Sequence, residues 1–132
     1  MIAIIDYKAG NVSSVRNTLD RLGYESFVSD NPERIKVAEK VVFPGVGEAS
    51  SAMAILKEKG LDKTIKSLKQ PVLGICLGMQ LMCKHSEEGN TDCLGIYDTK
   101  VKRFPENQMV PHMGWNTFKS KDNRLFSDIR KE

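Results

Sequence analysis

Residues 71–80 read PVLGICLGMQ: a proline, an apolar run, then one thiol between two glycines in the pattern Gly74-x-Cys76-x-Gly78. Pro71 introduces a strand over Val72 to Ile75, and residues from Cys76 to Lys84 resume helical spacing. The junction therefore reads as strand, tight turn and helix, with the cysteine at the turn. Strand followed by helix is the repeating unit of a parallel α/β sheet, so the rest of the chain is read against that expectation.

Upstream, the alternation repeats. Ile2 to Ile5 form a short apolar strand, and Asn11 to Leu22 carry Val12, Val15, Leu19 and Leu22 at helical spacing until Gly23 ends the helix. Tyr24 to Val28 read as a second strand, Asp30-Asn31-Pro32 as a turn, and Val41-Val42-Phe43 as a third strand stopped by Pro44-Gly45. A helix runs from about Ala49 to Lys59, and a shorter one carries Leu61, Ile65 and Leu68. Right-handed parallel crossovers follow, hence an α/β sheet covered on both faces. From Leu94 the texture changes to short strand-like pieces, LGIY, VKRF and WNTF, separated by polar turns and by Pro105 and Pro111, an antiparallel extension. The segment SKDNRLFSDIRKE is charged, offers only Leu125, Phe126 and Ile129 for burial, and supplies no closing strand.

Composition fits one soluble domain: 132 residues, 40% hydrophobic and 28% charged. The net charge of +3, from 20 basic against 17 acidic residues, is scattered rather than gathered into a stripe, which speaks against a nucleic acid partner. MIAIID meets an aspartate after a few apolar residues, so it is a buried strand rather than a secretion signal or membrane anchor, and a cytoplasmic protein is expected. Cys76, Cys83 and Cys93 are odd in number and lack paired-ligand spacing, against a disulfide framework and against zinc. Cys83 and Cys93 read as inert packing or loop thiols.

In open parallel sheets ligands gather outside the carboxyl ends of the strands. Three unusual stretches fall there: Asp6 to Asn11, Pro44-Gly45-Val46-Gly47, and Gly74 to Gly78. The last has the form of a nucleophile elbow with Cys in place of Ser, whose glycines allow a strained turn that pushes the side chain out over the sheet. At the start of a helix, unpaired amides favour a thiolate at Cys76, and the Leu77 amide is placed to receive an oxyanion. The glycine-flanked Val46 amide can approach as a second donor, and Gln80, one turn on, could hold a polar substrate. Cys76 also has a plain reading as a small buried hydrophobe. PGVG could be a simple turn, and it lacks the features of a phosphate loop.

Only His85 and His112 are available as a base. His85 lies nine residues past Cys76 on the expected helix, more than two turns away, and reads as a helix-terminal surface residue. His112 sits in PHMGWN, where a base role and a partner surface are both open, since Trp and Met are enriched in interface cores.

PGVG, GICLGMQLM and PHMGWN, in that order after MIAIIDYKAGNVSSV, resemble the glutaminase subunit of imidazole glycerol phosphate synthase, a class I glutamine amidotransferase. The resemblance runs from Met1 to about Phe118. It implies a flavodoxin-like open, mostly parallel sheet, with residues 1–132 as the portion of the domain that holds the elbow. It implies that Cys76 attacks the glutamine side-chain amide to give a thioester and ammonia, with the Val46 and Leu77 amides on the oxyanion and Gly47 and Gln80 on glutamine. No cofactor and no metal are implied. Asn11, His112, Met113 and Trp115 match the face that docks on a barrel-shaped cyclase subunit. Ammonia there meets a ribulosyl nucleotide, giving imidazole glycerol phosphate and an aminoimidazole carboxamide ribotide. The family's triad His and Glu belong to a later His-Pro-Glu segment that these 132 residues do not contain, so a C-terminally shortened form is expected. The remaining alternatives are a cyclase-binding module without catalysis, another class I amidotransferase, and an α/β redox protein with an elbow cysteine.

Overall fold

A computed structural model describes residues 1–116 and 125–126. The element order is β1 (Ile2–Ile5), α1 (Val12–Arg21), β2 (Ser26–Ser29), α2 (Pro32–Lys36), β3 (Lys40–Gly45), α3 (Ala49–Glu58), α4 (Leu61–Ser67), β4 (Val72–Cys76) and α5 (Leu77–Met82). After α5 come β5 (Cys83–Ser86), a 3-10 turn (Glu88–Asn90), β6 (Thr91–Asp92) and β7 (Tyr97–Val101). Strands β2-β1-β3-β4 form one parallel sheet in that order, and β6-β5-β7 form a second, small sheet.

The central strands of the first sheet are the most apolar and the most buried. Ala3, Ile4, Ile5 and Phe43 are fully enclosed, and each large side chain among them contributes about 1.5–3 kcal/mol on burial. One sheet face carries Ala3, Ile5, Val41 and Phe43 into a single core with Ile35 of α2, Met53 and Leu56 of α3, Leu61 and Ile65 of α4, and Leu77 and Leu81 of α5. On the opposite face α1 packs against β1 and β2. Over β4 that face is open, with Leu73 and Ile75 exposed. Full cover of both faces, expected from the sequence, is thus found only over the centre of the sheet, because one helix cannot span four strands.

Several boundaries differ from the sequence reading for physical reasons. Pro44 and Gly45 belong to β3 instead of stopping it, pairing with Ile75 and Cys76 of β4. The β1 pairing ends at Val42, so at Pro44 the strand is locally an edge and the missing N–H costs nothing. The Asp30-Asn31-Pro32 turn is a helix start: the Asn31 side chain accepts from the Glu33 and Arg34 amides at 2.9 and 3.2 Å, and Pro32 stands in the first turn. The helix expected to reach Lys84 stops at Met82. The amides of Leu94, Ile96 and Gly95 bond the carbonyls of Leu81, Met82 and Cys83, so the returning chain takes the acceptors that would have carried the helix onward.

The antiparallel extension is present in part. β5 pairs antiparallel with β6 but parallel with β7. The third strand is Tyr97–Val101, which lies between the LGIY and VKRF pieces and takes in only one residue of each. WNTF extends to Thr117 and Phe118, which lie outside the described residues, as does most of SKDNRLFSDIRKE; Trp115 and Asn116 are not in a strand.

Candidate active site

β4 ends and α5 begins at one residue, Cys76, whose backbone takes φ 53° and ψ −119°. A positive φ is uncommon outside glycine and is held only when the surroundings determine it. Two neighbours do so. A Cβ on Gly74 would lie 2.7 Å from the Met79 Cα, and one on Gly78 would drive into the Phe43 carbonyl. Both glycines are therefore needed for α5 to lie against the sheet, and the turn between them has no room for a relaxed conformation. The side chain of Cys76 is exposed, while Cys83 is buried and Cys93 partly so. Burial pushes the Cys83 and Cys93 thiols up, in keeping with inert packing roles.

The PGVG turn stands beside the elbow, since Gly45 is the register partner of Cys76. Gly47 has φ 103°, a conformation that favours glycine, and Val46 is half-exposed. The Val46 amide, expected to be available to an oxyanion, instead donates to the Ala9 carbonyl at 3.4 Å. The physical reason is the loop after β1. There Lys8 adopts φ 62° and its amide bonds the Asp6 carboxylate at 3.0 Å, turning the Ala9 carbonyl toward Val46. Leu77 follows Cys76 as the first residue of α5, and its side chain is buried in the core. With six residues, α5 offers a smaller macrodipole than the longer helix read from sequence, so any electrostatic effect at Cys76 comes from local amides.

Gln80, half-buried on α5, lines a cavity of about 580 Å³ together with Glu87, Glu88, Lys102, Arg103 and Phe104. Cys76 does not line it. Sequence reasoning missed Glu88, whose carboxylate accepts from the Ala49 amide at 2.9 Å and so ties the 3-10 turn to the start of α3 just past PGVG. No local pattern announces a contact 39 residues apart. It also missed Tyr7, which is 1% exposed, with its ring 5.4 Å from that of Phe43.

His85 is not at a helix end: it lies on β5, with Nδ1 2.9 Å from the Asp92 carboxylate on the paired strand β6. That hydrogen bond and the charge on His85 hold the Asp92 carboxyl below its usual range. His112 is exposed, with Nε2 3.2 Å from the Asn116 side-chain amide. Neither imidazole hydrogen-bonds Cys76 among the described residues. Asn11 caps α1, its side chain accepting from the Ser14 amide at 3.1 Å, and Met113 and Trp115 are exposed at 83% and 104%. The structure thus gathers Cys76, Leu77, Val46 and Gly47 at one sheet edge, with Asn11 at the end of the adjoining loop. Gln80 borders the neighbouring cavity, which Val110, two residues before His112, also lines. No group of three or more His, Cys, Asp or Glu side chains could hold a metal among the described residues. No helix among them is long and apolar enough to cross a membrane.

Over residues 3–132 the sequence matches the family "Glutamine amidotransferase class-I". A solved structure titled "Crystal structure of glutamine amidotransferase" superposes with a TM-score of 0.69 at 19% identity, covering 83% of this chain and 60% of that one. With the match spanning nearly all residues and a parallel sheet ending in a cysteine elbow, the chain belongs to the class I glutamine amidotransferase family. Within the family it is similar to "Imidazole glycerol phosphate synthase subunit HisH" of Bacteroides fragilis, 55% identical over 99% of this chain and 68% of the relative. The proteins of the same name from Bacteroides thetaiotaomicron and Pasteurella multocida are 52% and 48% identical over 99% of this chain, which spans 68% and 67% of their lengths.

Proposed function

We propose that this chain is the nucleophile-bearing portion of the glutaminase subunit of an imidazole glycerol phosphate synthase, with Cys76 as the nucleophile. The observation that carries the reading is the strained elbow: an exposed thiol at positive φ, opposite Gly45, between two glycines that backbone contacts require. The thiolate attacks the side-chain carbonyl carbon of glutamine. The carbon–nitrogen bond breaks, the nitrogen takes a proton, and ammonia leaves behind a γ-glutamyl thioester. Water then attacks the thioester, freeing glutamate and the thiol.

Charge develops twice on the carbonyl oxygen, and backbone amides are its expected donors. Leu77 supplies one. Val46 supplies the other only after its N–H leaves the Ala9 carbonyl, a rotation of the Gly45–Val46 peptide that the missing side chain of Gly45 eases. Gly47 and Gln80 hold the glutamine, and the Glu88 carboxylate at the cavity wall gives a site for its ammonium group. Proton transfer belongs in this reading to the His-Pro-Glu segment of the family, since the hydrogen bonds of His85 and His112 go to Asp92 and Asn116 and neither reaches Cys76.

Ammonia is passed to a cyclase subunit. Asn11, His112, Met113 and Trp115 form the docking face, and the exposure of Met113 and Trp115 supports that role. The complex works in the cytoplasm and needs no cofactor. The test is covalent capture by 6-diazo-5-oxonorleucine, a glutamine-shaped electrophile. It should add to Cys76 and not to Cys83 or Cys93; labelling that ignores Cys76, or that persists in Cys76→Ser, sinks the assignment.

A further inference from the structure

We propose that Tyr7 is a positioning residue for Cys76: its buried hydroxyl is a neutral hydrogen-bond donor set beneath the junction of β3 and the elbow, and it favours the thiolate over the thiol. The proposal deepens the reading of Cys76 as nucleophile and rests on it.

Three observations converge. The Tyr7 ring is buried just past the end of β1, against Phe43 of β3, yet its hydroxyl has no hydrogen-bond partner among the described residues. A buried polar group without a partner is unfavourable, and a phenylalanine would fill the same space without it. The oxygen also has a defined place. A Cβ on Gly45 would collide with it, so the hydroxyl lies against the Cα of Gly45, the residue paired with Cys76. Finally, burial first, and then the charge of Cys76, push the Tyr7 phenol above its ordinary range. The hydroxyl therefore holds its proton more tightly than an ordinary phenol, and beside Gly45 it stands as a fixed dipole with a proton to donate.

Few other charges face this pair. α5 has no titratable side chain from Leu77 to Met82, and β3 contributes only Lys40, at its far end. The flanking loops bring Asp6, Lys8 and Glu48, with Asp6 engaged by the Lys8 amide and Glu48 by Ser50 and Ser51. All of these are unchanged in a Tyr7→Phe variant, so a comparison with the parent isolates the hydroxyl.

The experiment is the pH profile of alkylation of Cys76 by iodoacetamide, with fragment masses separating it from Cys83. Tyr7→Phe should move the midpoint upward by at least about half a pH unit, a roughly threefold slower reaction below the midpoint, with the high-pH plateau retained. Its melting temperature should be unchanged or higher. A superimposable profile, or a plateau that falls equally at all pH values, overturns the proposal. Should Tyr7→Phe fail to fold, replacing tyrosine globally by 3-fluorotyrosine makes the hydroxyl a stronger donor. The midpoint should then fall, and an unmoved one overturns the proposal as well. Alkylation requires no glutamine, so absence of labelling by the glutamine analogue would sink the glutaminase reading and leave this comparison intact.

Discussion

Replacing Gly78 by alanine puts a single methyl group where α5 meets the sheet. The added carbon would drive into the Phe43 carbonyl oxygen, with the Phe43 and Pro44 carbonyl carbons 2.8 and 3.1 Å away. All three are backbone atoms of β3, which is held on one side by β1 up to Val42 and on the other by β4 through Gly45. They cannot rotate away as a side chain would, so α5 must lift. Overpacking costs about 1–3 kcal/mol, and a backbone collision belongs at the upper end. Alanine returns up to about 1 kcal/mol through its helix propensity, leaving a net loss of about 2 kcal/mol. For a chain of this size that is a fall in melting temperature of roughly 8 °C. Gly95→Ala is the control: nothing lies within 4 Å of the new carbon, but φ is 66°, so only the left-handed penalty applies, about 1 kcal/mol. Thermal unfolding followed by circular dichroism reads both. A Gly78→Ala protein melting within about 2 °C of the parent, or above Gly95→Ala, would refute the close approach of α5 to β3 and with it the explanation of the strained Cys76.

Asn11→Ala should cost about 1 kcal/mol, seen in the denaturant midpoint, through loss of the α1 cap, whereas Asn11→Ser keeps a cap and most of the stability. Weakened association of the serine variant with a cyclase subunit would then report a docking role separate from folding. Trp115→Ala should leave the melting temperature unchanged, the side chain being fully exposed, and weaken that association; an unaltered binding curve counts against the docking face. The Lys59–Asp30 pair, 2.5 Å apart, gives a pH test. The Lys59 hydrogen bond, then its charge, lowers Asp30 below its ordinary 3.8, so that contribution is complete above this value and lost as pH falls through the folded one. Asp30 raises Lys59 above 10.5, so this contribution is complete below 10.5 and lost as pH rises through the folded value. Asp30→Asn should flatten the melting-temperature profile at both ends, and identical profiles would show that the pair contributes nothing.

Much of the framework was legible in local pattern. The apolar run of Ile2 to Ile5, the helical spacing of α1 ended by Gly23, and the proline and glycines around Cys76 each act within a few residues, where periodicity and backbone preference decide the outcome. The same locality explains the errors. Helical spacing extends through Cys83 and Lys84, and only the amides returning from Leu94 to Ile96 end the helix at Met82. His85, read at a helix end, therefore falls on a strand facing Asp92. Pro44, a stop signal by itself, is tolerated because β1 ends before reaching it.

The sequence by itself thus determined the parallel α/β frame, the elbow cysteine and the three loops at one edge, because glycine, proline and apolar spacing constrain the chain at short range. Tertiary structure alone decided the state of the site. It commits the Val46 amide to Ala9, ties Glu88 to the start of α3, and leaves the Tyr7 hydroxyl unpaired against Gly45. Each of these depends on where separate segments meet, and the free energy of such a contact is set by burial and direction that no short stretch of sequence contains.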